Sequence, residues 1–105
     1  VTTFNTQLQS GVSGNANILF VDAYSFTRDQ NTNPSAYGLS NVTTPACDLT
    51  PAKNALSLSL ICNKSNLISG SVDNYAFADS VHPTPYSYSL LARFVSKELA
   101  TKGWL

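Results

Sequence analysis

Three stretches of the chain carry an ordered pattern of apolar and polar positions, and each predicts a different element. Val1, Phe4, Leu8 and Val12 recur at helical spacing, with Asn5, Thr6, Gln7 and Gln9 on the other side. No capping residue precedes Val1, so the free amides of that first turn lack a side-chain partner. The chain is therefore expected to enter in mid-helix, as a piece of a longer polypeptide. Ile18-Leu19-Phe20-Val21 is a continuous apolar run with two β-branched residues, which predicts a strand buried on both faces, as in a parallel sheet. Leu90, Leu91, Phe94, Val95 and Leu99 form the apolar stripe of a last helix. Thr84 is placed to cap that helix, Pro85 suits its first turn and Gly103 can close it. Lys97 and Lys102 fall near the negative end of its dipole.

The remainder is less ordered. Thr27 to Gly70 reads as mostly irregular, with a short helix over Pro34–Gly38, and Tyr75-Ala76-Phe77-Ala78 is the only other strand candidate. Helix, strand and helix in that order fit a layered α/β fold. One strand makes no sheet, so the partner strands are expected to lie outside residues 1–105.

Composition narrows the setting. A chain of 105 residues fits one domain at most. Charged residues make up 11% of it, against about 25% in an average soluble domain. Ser, Thr and Asn, roughly a third of the chain, form the polar surface instead. With no Met and two Cys, this composition points to a secreted or extracellular protein, with a bacterial-type, cell-surface-associated one as the variant of that setting. Six basic residues balance six acidic ones, so no nucleic-acid partner is implied. No apolar run approaches the roughly 18–20 residues of a membrane helix, so no transmembrane segment is expected in this chain. Cys47 and Cys62 bracket a loop too poor in other ligands for tetrahedral zinc, and a disulfide is the expected pairing. Two unpaired buried thiols are the alternative.

The candidate chemistry sits ahead of the last helix. His82 is the one histidine, and Pro83 pushes it out of the α region into an extended loop. Asp79, three residues earlier, can turn back to the imidazole Nδ1–H and leave Nε2 free to take a proton from a nucleophile. As bare residues the pair has low specificity, since a histidine before a helix is more often a loop or capping residue.

The segment Phe77-Ala78-Asp79-Ser80-Val81-His82-Pro83-Thr84 resembles the last block of the GDSL-type, or SGNH, hydrolases, in which an Asp-x-x-His pair precedes the C-terminal helix. Asn33-Pro34-Ser35-Ala36-Tyr37-Gly38-Leu39, then Asn41 and Ala46-Cys47, resemble that family's Asn-Pro, Tyr-Gly, Ala-Cys stretch. Ile18 to Tyr24 resembles its last core strand. Leu39 departs from the aromatic common at its place. The resemblance implies that residues 1–105 are the C-terminal part of a single SGNH hydrolase domain, a flavodoxin-like three-layer α/β/α sandwich. Its parallel sheet would be completed by a missing N-terminal segment. It also implies catalytic roles for Asp79 and His82 in the hydrolysis of carboxylic esters, lipid or short acyl, without a cofactor or a metal.

The family's nucleophilic Ser block, and the Gly and Asn that complete its oxyanion hole, have no counterpart here. None of the fourteen serines sits in a strand-to-helix elbow that would expose and activate it. The partner implied is an N-terminal segment or companion chain carrying that serine. Acyl transfer by the same machinery and a non-catalytic binding module on the same scaffold are the competing readings.

Other residues carry blander expectations. Asp22 reads as the cap of a turn, Arg28-Asp29 as a solvated loop pair, and Tyr86 and Tyr88 as helix packing beside the site. Trp104 is expected to fold back on the last helix, the start of a link to a further domain being the alternative. Asn41-Val42-Thr43 and Asn63-Lys64-Ser65 match the N-glycosylation sequon, a triplet frequent by chance in an Asn-rich chain.

Overall fold

Three α-helices form among the described residues, and side-chain caps start two of them. The computed structural model describes residues 1–56 and 61–105, so part of the expected irregular stretch, 57–60, lies outside the described residues. Helix α1 spans Thr2–Val12 and follows Val1, which gives no side-chain cap. Helix α2 spans Ala23–Thr32, with the Asp22 carboxylate accepting the Ser25 amide at 3.0 Å. Helix α3 spans Pro85–Lys102, capped by Thr84 through the Ser87 amide and closed by Gly103 at φ 82°. The expected last helix is therefore present from cap to cap.

A 3₁₀ turn over Pro34–Tyr37 fills the place of the expected short helix. Gly38 ends it in the left-handed region at φ 69°. A Cβ there would stand 2.5 Å from the Tyr86 hydroxyl, which donates to the Tyr37 carbonyl at 2.8 Å. Glycine alone meets both demands, a positive φ and the close approach of α3.

Two expectations need correction. Helix α2 lies largely in the stretch read as irregular, and it ties down Arg28-Asp29. Asp29 accepts from the Tyr37 hydroxyl and from Asn33 Nδ2, while Arg28 stacks over the Tyr24 ring. No strand forms among the described residues. A strand exists only through a neighbour that bonds its amides and carbonyls, and Ile18–Val21 has none among the described residues; Ile18 is 41% exposed. Tyr75–Ala78 is likewise no strand, but isolated bridges mark it: Asn41 with Tyr75, and Phe77 with Pro83.

The core is small and lies under α3. Leu39, Ala76 and Leu90 are buried, with Phe26, Val42, Phe77 and Tyr86 packed around them. Phe26 of α2 stacks on Phe94 of α3 with ring centroids 4.2 Å apart. Helix α1 contributes no buried residue: Val1, Phe4 and Leu8 are exposed. The radius of gyration is 16.6 Å, against about 13 Å for a self-contained domain of this length. No helix among the described residues is long and apolar enough to cross a membrane.

Candidate active site

Main-chain hydrogen bonds build the site loop before any side chain matters. The Ala76 amide donates to the Asn41 carbonyl at 2.8 Å, and the Thr84 amide donates to the Ala76 carbonyl at 3.0 Å. One step further on, the Ala78 amide donates to the His82 carbonyl at 2.9 Å. Residues 76–78 and 82–84 thus run side by side, and Asp79 to His82 form the tip. Ala46 and Cys47 brace the near side, donating to the carbonyls of Phe77 and Ala78, each at 2.8 Å.

Two further ties fix the loop to the rest of the chain. Thr84 is buried, donates its hydroxyl to the Tyr75 carbonyl and caps α3, so the helix start and the loop share one residue. Ser87 adds a hydroxyl bond to the Ala76 carbonyl at 2.9 Å. Below the loop, Cys47 and Cys62 form a disulfide. Cys62 Sγ lies 3.3 Å from the Ala78 carbonyl oxygen, one residue before Asp79.

Asp79 is 2% exposed, and all its bonds point to the tip it precedes. Its Oδ1 accepts the amides of Val81 and His82, each at 2.7 Å. Its Oδ2 stands 3.0 Å from His82 Nδ1. Burial pushes the carboxyl up; the amides of His82 and Val81, then the His82 ring, pull harder, and the net position is below the usual carboxylate range. The group is ionised at neutral pH and has no proton to give. The proton of a neutral His82 ring therefore belongs on Nδ1, and Nε2 carries the lone pair. The His82 side chain is 49% exposed, which leaves that nitrogen open to an incoming group.

The other expected positions sort clearly. Asp22 caps α2, with no tie to His82. Tyr86 is a packing residue held by the Tyr37 carbonyl. Tyr88 is half exposed and lines a groove between α2 and α3 with Phe26, Phe77, Pro83 and Leu91. Gln30, buried at the groove's α2 wall, had no sequence signal. Trp104 donates its amide to the Leu99 carbonyl but stays 47% exposed, with Lys102 over its ring. No group of three or more metal-ligating side chains occurs among the described residues.

No family model and no solved structure matches this chain. Curated sequences do. A GDSL esterase/lipase of Arabidopsis thaliana is 29% identical over 104 residues, covering 91% of this chain and 25% of the relative. A second GDSL esterase/lipase of the same plant is 30% identical over 87 residues, covering 83% of this chain and 23% of the relative. These similarities, at 27–30% identity over most of the chain, point to the GDSL esterase/lipase family. Arabidopsis anther-specific proline-rich protein APG is also similar, 29% identical over 85 residues, covering 80% of this chain and 15% of APG. The chain spans about a quarter of the length of the GDSL relatives it matches. Their family points to the SGNH hydrolase fold.

Proposed function

We propose that this chain is the base-bearing part of a GDSL-type serine esterase, with His82 as general base and Asp79 as the group that orients it. One observation carries the reading. A buried, ionised carboxylate holds Nδ1 of a half-exposed imidazole, so Nε2 is the open, basic nitrogen. In this mechanism His82 Nε2 takes the proton of a serine hydroxyl as its oxygen attacks the ester carbonyl. It then returns that proton to the leaving alcohol, and a water deprotonated by the same nitrogen releases the acid. Asp79 stays ionised throughout and stabilises the imidazolium.

The serine, and the donors facing the developing oxyanion, belong to an N-terminal segment or companion chain of the same enzyme. The same segment supplies the strands that pair with Ile18–Val21 in a three-layer α/β/α sandwich. The substrate class is carboxylic esters, lipid or short acyl, and the setting is extracellular. The disulfide and the low charge support that setting.

The deciding experiment is covalent labelling with a fluorophosphonate. Residues 1–105 alone are expected to stay unlabelled and inactive on p-nitrophenyl esters. The complete enzyme is expected to label at a serine outside this chain. Labelling of the isolated chain at one of its own serines would overturn the assignment.

A further inference from the structure

We propose that Asn63 is an N-glycosylation site, and that it is the occupied one of the two sequons in this chain. The sequence offers Asn41-Val42-Thr43 and Asn63-Lys64-Ser65, while Asn33-Pro34-Ser35 is barred by its proline. The structure separates the two. Asn63, Lys64 and Ser65 are all exposed. Asn63 Oδ1 accepts both the amide of Ser65, at 2.8 Å, and its hydroxyl, at 2.6 Å, the same turn that Asn41 makes with Thr43, so exposure and surroundings are what separate the two. Its Nδ2 donates to the Ile61 carbonyl at 3.0 Å. That bond uses one of two amide hydrogens, so a sugar can replace the other without costing the bond.

Asn41 is a poorer host. It is partly covered and bridged to Tyr75, and its carbonyl holds the Ala76 amide at the root of the site loop. Its neighbour Val42 packs on the core. A glycan there would crowd the elements that carry Asp79 and His82.

The compartment argument rests on the Cys47–Cys62 disulfide beside Asn63 and is independent of the catalytic reading. The co-reactant is an oligosaccharide carried on a lipid pyrophosphate. The Nδ2–C1 bond forms as the sugar's C1–O bond to pyrophosphate breaks, and the amide proton leaves with the pyrophosphate, without a redox change. A glycan at Asn63 would also keep that edge in solvent.

The test is peptide mapping of the chain expressed through the secretory route of plant cells. After reduction, peptide-N-glycosidase in heavy-oxygen water should turn Asn63 into a labelled Asp. Ser65→Ala, which leaves the Asn63 side chain in place, should abolish the label, whereas Ser65→Thr should keep it. Asn41→Gln should leave labelling at Asn63 unchanged. Chain retained inside the cells is read in the same way. An unmodified Asn63 peptide from the unsubstituted chain, or labelling that survives Ser65→Ala, overturns the proposal.

Discussion

Asp79 makes two separable contributions, and substitutions should pull them apart. Its Oδ1 satisfies two loop amides, while its Oδ2 holds the imidazole. Asp79→Ala leaves those amides without their acceptor, which should cost about 1–3 kcal/mol of stability, read from urea unfolding of the complete enzyme. In the same enzyme, His82→Ala should lower kcat by on the order of a million-fold. Asp79→Ala should lower it by roughly ten-thousand-fold, because a misoriented imidazole still accepts a proton some of the time. The pH dependence has a definite sign. A carboxyl held below its unfolded value, about 3.9, adds stability that is fully present above that value. The stability is lost as pH falls through the lower folded one. The loop should thus hold its shape through mildly acidic pH and loosen only below the ordinary carboxylate range. The carboxyl ¹³C shift of Asp79 is the measurement. A midpoint at or above 3.9 would contradict the amide bonds described.

At the scale of elements, legibility followed locality. Helix α3 was readable because its cap, first-turn proline, apolar stripe and closing glycine all sit in one stretch of sequence. The Asp79–His82 pair was readable for the same reason, since i and i+3 residues in a proline-bounded loop need no distant partner. Helix α2 was not readable, because Ser, Thr, Asn and Asp are weak helix formers. It is held instead by the Phe26–Phe94 stack and by the ties of Asp29 to Tyr37 and Asn33. Strands Ile18–Val21 and Tyr75–Ala78 were read from hydrophobicity, which reports burial without supplying a neighbour to pair with. The Gly38–Tyr86 approach joins positions 48 residues apart and left no local trace. It makes a sharp prediction. Gly38→Ala should destabilise by about 1–2 kcal/mol from its positive φ alone, and by more from the clash. Tyr86→Phe removes the clashing oxygen, so the double variant should lose less than the sum of the two singles in thermal unfolding.

The molecule as a whole carries apolar surface that none of the described residues covers. Val1 is 82% exposed and Phe4 67%, and Ile18 lies bare in the run after α1. A helix with one apolar stripe is stable in water chiefly by burying that stripe, and α1 buries none. The radius of gyration, 16.6 Å, fits a chain whose helices are not gathered around one centre. The chain spans about a quarter of its relatives' length, and on the proposed α/β/α fold the cover expected for α1 is the rest of that sandwich. Phe4→Ala tests this directly, because its cost depends on what surrounds the ring. On an exposed surface the change should fall within about 0.5 kcal/mol of zero. Beneath a packed layer it should cost about 3–5 kcal/mol. Residues 1–105 alone should show the small value, and the complete enzyme the large one. Equal small costs in both would mean that the α1 face stays in solvent and that the companion segment docks elsewhere.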